Sequence, residues 1–424
     1  MPSPDTIRMI GLIAIFALLF LGLFNPFYSL LSYFAVMMTR PGLYYPNLAN
    51  IRIELLIAIV VLIQIFLRKQ DWMVRLKFDY NRVNKYMFLF FLVILASFAQ
   101  AWDYKESWNT VVIEFVKVYA FYIMILAFVE SDKQVKQFLW MFALLTILID
   151  YEGLYLYFSG KESYIFQGVD VAIASKGFAA GHVAAANMQL QCLPIMIYLF
   201  FAEKKITTKA LALSLSFLSV LGVIASGSRG GFLGLIVIGF LVIYFSERKA
   251  LSLFVCLIFL FAVMPFIKGN YMGWMESIVS HSDDSATSRI TGLINGAEMM
   301  IRRPILGVGP GCYPLARKAW FHWGLESHNQ FGQVMGDLGL LGTLAWGYFI
   351  YYVYKNLFMA KEILSKERRT DLCLLVTGVQ IALTVRLFEG MFSQSLYIFF
   401  WYAMAAVSVA ILKRAQRECP CDTT

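Results

Sequence analysis

Apolar runs long enough to cross a lipid hydrocarbon core recur along this chain from Met9 to Leu412, separated by short charged stretches. Each crossing needs about 20 predominantly apolar residues, and inside lipid every backbone amide and carbonyl must find its partner within a helix or a closed barrel. The two-residue alternation of a barrel strand is missing, so the runs predict helices. Composition agrees: 60% of residues are hydrophobic, 15% are charged and mean hydropathy is +0.67, which excludes a soluble domain. The expected fold is therefore all-α, a polytopic integral membrane protein of about twelve transmembrane helices. The first run, Met9 to Met38, is overlong and interrupted at Asn25-Pro26, which leaves one kinked span or a span plus a short re-entrant piece. No small-residue cleavage site follows it, so it predicts an uncleaved anchor.

The basic residues set the expected orientation. Arg68 to Lys85, Lys133 and Lys136, Lys204 and Lys205, Arg248 and Lys249, Lys355 to Arg369, and Lys413 to Arg417 fall in alternate loops, which the positive-inside rule places in the cytoplasm. The segment Lys268 to Glu326 is long enough to cross regardless of its charge and is expected to face outward. The chain then forms one integral domain over 1–424, with a large outward loop containing short helices at 268–329. The net charge of +9 is dispersed in topogenic clusters with no basic stripe beside stacking aromatics, so nucleic acid is not an expected partner. The cysteines lie apart from one another, Cys312 alone in a loop and Cys419 with Cys421 in the tail, and give neither a zinc spacing nor a disulfide framework. Asp283 and Asp284 suit helix capping as well as they suit a divalent cation. No metal and no cofactor is expected.

Ionisable residues inside spans cost about 2.5 to 3.5 kcal/mol each, so every one calls for a partner or a task. Arg52 with Glu54, Glu114 with Lys117, Asp150, Glu152, Arg386 and Glu389 all fall at the outer level of the predicted spans. Glu114 and Lys117 have the spacing of a helical ion pair, and so do Arg386 and Glu389, although Arg386 also suits an anionic ligand.

Three outward features carry candidate chemistry. Ser226-Gly227-Ser228-Arg229-Gly230-Gly231 predicts a tight turn whose glycines expose backbone N–H groups, and its guanidinium suits a phosphate; snorkelling to a lipid headgroup is the plainer alternative. Ser285 to Arg303 has helical apolar spacing and ends at Pro304; Arg289 in its first turn opposes the helix dipole, which makes it a second candidate anion ligand. Ser327-His328-Asn329-Gln330 reads as a capping box with Ser327 as N-cap, placing His328 at the first helical position. The dipole there would keep the imidazole neutral and able to accept a proton, while a merely satisfied polar cap is the ordinary fate of such a histidine. Pro304 to Gly311 lacks the lysine of a nucleotide-binding loop and reads as a rigid turn. Gly332, Gly336, Gly339 and Gly342 let neighbouring helices approach the following span, which also carries a deep Asp337.

The order Ser228-Arg229-Gly230-Gly231, Arg289, Arg303-Pro304-Ile305-Leu306-Gly307-Val308-Gly309-Pro310-Gly311, Ser327-His328-Asn329 and Asp337-Leu338-Gly339-Leu340-Leu341-Gly342 resembles the bacterial O-antigen ligase and polymerase family, from about Val183 to Leu412. The block Arg40-Pro41-Gly42-Leu43-Tyr44-Tyr45-Pro46, with Arg52 and Glu54, is similar to the O-glycosylation ligases of exosortase-linked systems. The resemblance implies a multi-pass protein of the bacterial inner membrane with its site on the periplasmic face. It implies a glycosyltransferase that moves a glycan from undecaprenyl diphosphate to an acceptor hydroxyl on lipid A core or protein, or a polymerase acting on a growing polysaccharide. Arg229, Arg289 and His328 match the family's catalytic positions, and Ser228, Gly230, Asn329 and Arg386 are expected to touch substrate. Asp337 departs from the glutamate of many members, which leaves a catalytic role for it open. A lipid-linked sugar transporter is the rival from another class, but it calls for paired half-chains and charges near the membrane midplane.

Overall fold

The computed structural model describes residues 2–67, 75, 77, 80–159, 164–166, 169–171, 182–266 and 284–418. Its helices are α1 (Pro4–Phe24), α2 (Pro26–Thr39), α3 (Pro46–Asn50), α4 (Ile53–Leu67), α5 (Arg82–Phe98), α6 (Tyr104–Phe128), α7 (Asp132–Ser159), α8 (His182–Ala202), α9 (Ile206–Ala225), α10 (Arg229–Phe245), α11 (Lys249–Val263), α12 (Asp284–Arg302), α13 (Tyr313–Phe321), α14 (Gln330–Lys366), α15 (Thr370–Glu389) and α16 (Phe399–Glu418). A short antiparallel hairpin pairs β1 (Tyr164–Phe166) with β2 (Val169–Val171). Among the described residues six helices, α1, α6, α7, α8, α9 and α15, are long and apolar enough to cross a membrane, and α4, α10 and α11 are shorter apolar helices. The chain is a polytopic helical membrane protein. His281, Asp283, Cys419 and Cys421 lie outside the described residues.

Two compact units interleave along the sequence. The first comprises Met1–Arg68, Phe128–Ser280 and Ile363–Arg386. In it, the overlong first run is two helices folded back on each other, and Asn25 explains the break. Its N–H closes α1 onto Leu21 O, its Oδ1 caps α2 at Phe27 N (3.1 Å), and Pro26 at the first position of α2 has no N–H to lose. The return is tight because Gly22 lacks a Cβ: one built there would stand 2.0 Å from Ser29 Oγ. Ser32 Oγ donates to Ile15 O at 3.0 Å, and Gln64 of α4 donates to Gly22 O at 2.9 Å. With 14 residues α2 reaches roughly 21 Å, short of a hydrocarbon core of about 30 Å, so the re-entrant alternative fits its length.

The rest of this unit is a helical layer in which small residues set the spacing. Ala186 and Leu190 of α8, Val223 of α9, Ile238 of α10, and Ile381 and Val385 of α15 share one buried cluster. A Cβ on Gly231 would press on Ala186 at 2.9 Å, and one on Gly234 on Leu190 at 2.5 Å, which fixes α10 against α8. Asp150 of α7 is buried beside Gly222, with Gln189 Nε2 donating to its Oδ2 at 3.0 Å.

The second unit comprises Lys69–Ala127, His281–Glu362 and Leu387–Thr424. Here α6 carries a π-helical stretch, Asn109–Phe115, a widened turn of the kind often found beside functional residues. Two features differ from the straight span expected over Gln330 to Tyr354. The helical segment runs on to Lys366, and Gly339 (φ 62, ψ −157) breaks it, a conformation that a side chain would not tolerate. The break lets Leu340 N and Leu341 N turn to Pro304 O (2.8 Å) and Ile305 O (3.1 Å), so the Pro304–Gly311 turn is stitched to α14. That turn spends its groups internally and on neighbours: Val308 N and Gly309 N donate to Gly336 O and Asp337 O, and Ser107 Oγ donates to Pro310 O. It is a rigid structural corner.

Candidate functional site

His328 is not at the first position of α14. Asn329 is the N-cap, its Oδ1 accepting from Phe331 N and Gly332 N at 3.0 Å each, and the helix begins at Gln330. Ser327 is buried and turns its Oγ to Asn329 O (2.8 Å), so the expected Ser327–Gln330 capping box does not form. An asparagine two residues nearer the helix satisfies two orphan N–H groups with one oxygen.

This register puts His328 just before the cap with φ 47, in the left-handed region. Such a conformation costs a non-glycine residue about 1–2 kcal/mol and persists only where its surroundings enforce it. The enforcement comes from the segment 390–396. Gln394 Oε1 accepts from His328 N (2.9 Å), Gly390 O accepts from Gln330 N (2.6 Å), Asn329 Nδ2 donates to Met391 O (3.3 Å), and Ser395 Oγ donates to Gln330 Oε1 (2.6 Å). The imidazole keeps an exposed face. Partial desolvation, followed by the positive fields of Arg289 and Arg317, pushes its pKa below the ordinary 6.5. This downward push comes from partial desolvation and two arginines, where the sequence pointed to a helix dipole.

Arg289 lies in the first turns of α12, its guanidinium 5.7 Å from the Phe392 ring centroid. The helix follows the predicted range closely, and Gly292 and Gly296 bring it against α14: a Cβ on Gly292 would stand 1.9 Å from Ser327 O, and one on Gly296 2.2 Å from Gly332 O. Arg302 stacks near Trp320 (5.1 Å), and Arg303 donates to Gln100 O (3.1 Å), so both serve packing.

Sequence reasoning missed α13 and with it Arg317. That side chain is fully buried, donates through Nη1 to Leu325 O (3.3 Å) and Glu326 O (2.9 Å), and through Nε to the Asn295 amide oxygen (3.0 Å). It thereby ties α12 and α13 to the strand of chain that delivers His328. Glu326, two residues before His328, was missed as well. Partial desolvation raises its carboxyl pKa although the residue keeps an exposed surface, a hydrogen bond from Gln394 opposes the rise, and Glu106 and Glu114 add to it. Gln394 therefore contacts both Glu326 and His328. The only signal in the sequence was the charged pair Arg317-Lys318 in an otherwise apolar stretch, which does not say which of the two turns inward.

Asp337 is buried, and its partners are now identified. Oδ1 accepts from Tyr313 N (3.0 Å), and Oδ2 accepts from Gly311 N (3.0 Å) and from the Tyr397 hydroxyl (3.1 Å). It anchors the start of α13. Cys312, expected alone in a loop, is the buried residue preceding α13, with Ser107 Oγ 3.2 Å from its sulfur; burial raises its thiol pKa.

The remaining expected site residues belong to the first unit. Gly227 (φ 62) makes the turn between α9 and α10, and Ser228 is the N-cap of α10, its Oγ accepting from Gly231 N at 3.1 Å. The turn is less open than expected, because Gly227 N donates to Ile224 O (3.0 Å) and Ser228 N to Ser226 Oγ (3.2 Å). A backbone carbonyl takes the Gly227 amide, and short-range serine caps take those of Ser228 and Gly231. Gly230 N, in the first helical turn, has no acceptor among the described residues, and Arg229 at the first position keeps a partly exposed side chain. Arg386 is buried near the end of α15, one residue after Val385, which packs with Val223 and Ala186 beside the start of α10. Arg289, Arg317, Glu326 and His328 form one group in the second unit, while Arg229, Ser228, Gly230 and Arg386 belong to the first.

A polytopic helical frame with an arginine-flanked, conformationally enforced histidine before a helix cap defines a class of membrane protein, and comparison narrows it. Residues 214–347 match the family model described as O-antigen ligase. The matched stretch covers less than half of the chain and contains Arg229, Arg289, Arg317, His328 and Asp337, and it assigns this region to the O-antigen ligase family. A search of curated proteins gives no match.

Proposed function

We propose that the chain is a membrane glycosyltransferase of the ligase kind, moving a glycan from undecaprenyl diphosphate to an acceptor hydroxyl. The observation that carries this reading is the His328 arrangement inside the matched stretch: an imidazole held in a left-handed turn, its pKa pushed down by partial desolvation and the fields of Arg289 and Arg317. A ring nitrogen of His328 takes the acceptor proton as the oxygen attacks the anomeric carbon. The new C–O bond forms as the bond to the diphosphate oxygen breaks on the opposite face, and the electron pair leaves with the diphosphate. The product is inverted at that carbon. Arg289 is assigned to the leaving-group charge, and Arg229 with Ser228 and Gly230 to donor phosphate; Arg386 and Asn329 are assigned to substrate contacts. Guanidinium groups fit this task, since they offset charge that grows only as the leaving group departs. The reaction as drawn uses no metal, and transfer that stopped with chelator would refute that part. In the same reading the protein sits in the bacterial inner membrane with about twelve spans, and 268–329 faces the periplasm within one domain over 1–424.

The test is transfer from a synthetic undecaprenyl-diphosphate glycan to lipid A core, protein and polysaccharide acceptors, with wild type and His328→Ala in the same nanodiscs. The expected result is a turnover loss of roughly 10²- to 10⁴-fold with donor binding kept. Normal turnover by the variant would reduce His328 to a structural turn. A ladder of products from single repeat units would make the enzyme a polymerase, and movement of lipid-linked glycan across the bilayer without transfer would make it a transporter.

A further inference from the structure

Within the first unit a cleft is lined by α1, the turn after α2, and α7. Its construction starts at Arg40, which ends α2 in the left-handed conformation (φ 46, ψ 58). The chain reverses into a 3-10 turn, Pro41–Leu43, with Tyr44 N and Tyr45 N both donating to Pro41 O at 3.1 and 2.9 Å. This reversal brings Tyr44 and Tyr45 to the cleft, where Arg8, Tyr151 and Glu152 complete the polar lining. Pro41, Tyr44 and Tyr45, from a block prominent in the sequence and unused by the transfer chemistry, thus line the cleft.

Arg8 is held on three sides. Its Nη1 donates to Asp5 Oδ1 (2.8 Å), its Nη2 stands 2.7 Å from Glu152 Oε1, and its guanidinium carbon lies 4.0 Å from the Tyr44 ring centroid. Within the lining itself Arg8 faces a single carboxylate, Glu152, so its charge is already balanced and the cleft offers no uncompensated cation to a phosphate or a uronate. Tyr151 spends its hydroxyl on Pro2 O (2.8 Å), while the half-buried Tyr45 hydroxyl has no partner among the described residues. Leu12, Ile15 and Leu148 add apolar lining, and α1 comes close to α7 at Gly11. Aromatic rings, a fixed carboxylate acceptor, fixed guanidinium donors and a free phenol beside apolar lining match the two aspects of a sugar ring, its C–H face and its hydroxyl rim.

We propose that this cleft binds a neutral sugar residue of the glycan that the enzyme handles, as a subsite that holds glycan apart from the reacting bond. The assignment rests on the glycosyltransferase reading for the identity of the glycan, but its test does not require transfer. Saturation-transfer NMR on the full chain in nanodiscs would use methyl hexosides and methyl N-acetylhexosaminides as neutral probes, with inorganic phosphate and methyl glucuronide as charged ones. The expected result is binding of at least one neutral glycoside, weakened at least 10-fold by Tyr45→Ala and by Glu152→Gln and unchanged in His328→Ala. Tyr45→Phe keeps the ring and removes only the phenol, so it decides the matter if the alanine variant does not fold, with a smaller loss expected. The proposal is overturned if wild type binds no neutral glycoside, if binding survives Glu152→Gln and Tyr45→Phe alike, or if the charged probes bind as well. A protein that binds glycoside here but transfers nothing would keep the cleft and lose the ligase reading; transfer without such binding would do the reverse.

Discussion

Asp337→Asn tests how the corner before α13 is held. Each carboxylate oxygen accepts a backbone N–H, from Tyr313 and from Gly311, and Oδ2 also accepts the Tyr397 hydroxyl. An amide of the same shape keeps one oxygen and turns an NH₂ toward the other donors, so at least one buried backbone N–H is left without an acceptor. That costs about 1–3 kcal/mol, and Asp337→Ala, which strands both N–H groups, costs about twice as much. Tyr397→Phe removes a single donor and leaves both backbone bonds, so about 1 kcal/mol is expected. The apparent melting temperature in one detergent at one scan rate ranks the three, since unfolding of such a protein is read as a rate. The expected order of loss is Asp337→Ala, then Asp337→Asn, then Tyr397→Phe. Transfer should fall along the same series, because Arg317 on α13 holds the segment that delivers His328. Melting of Asp337→Asn indistinguishable from wild type, or a larger loss in Tyr397→Phe, would refute the assignment of the carboxylate as anchor.

The depressed pKa of His328 sets the pH dependence. A base acts only while unprotonated, so transfer should stay level as pH falls from neutral past 6.5 and drop only below it; Arg317→Met and Arg289→Gln each remove a positive neighbour and should move the acid limb upward in a pH–rate profile. Asn329→Ala strands the N–H groups of Phe331 and Gly332 and should cost about 1 kcal/mol of stability, with Asn329→Ser restoring most of it in the same melt. Gly292→Ala should be among the worst tolerated changes in α12, because its Cβ would meet Ser327 O; a cost of about 1–3 kcal/mol is expected, with turnover lost through displacement of Arg289 and His328.

The helices were legible because lipid imposes a coarse rule: an apolar run must satisfy its own backbone, and its length then announces it. The range expected for α12 came from the same periodicity, sharpened by Pro304. Capping was harder to read. Ser327 and Asn329 are both good N-cap residues, and two positions of difference decide whether His328 is an ordinary helical residue or a left-handed one. The deciding contacts come from Gln394 and the chain around Gly390, more than sixty positions away in sequence, so no local pattern could carry them.

Charge was legible as a requirement and illegible as a pairing. Arg289 stood out because it opposes a helix dipole, a conflict visible along one helix. Arg317 carries no such conflict: in the sequence it is one of two adjacent cations, Arg317 and Lys318, and only the fold buries the first while leaving the second outside the core. The same holds for Asp337, whose partners are two backbone N–H groups and a distant phenol. A carboxylate that binds backbone is indifferent to the side chains at those positions, so its role follows from where Gly311 and Tyr313 turn. An aspartate at this position then acquires a physical meaning. The shorter side chain suits an anchor seated directly against the corner, whereas an added methylene would push the carboxyl into Tyr313 and Gly311 or out of register with Tyr397. Asp337→Glu should therefore destabilise this chain by about 1–3 kcal/mol although it keeps the carboxylate. A melt unchanged from wild type would mean that the corner can yield and that the carboxylate is not seated by packing.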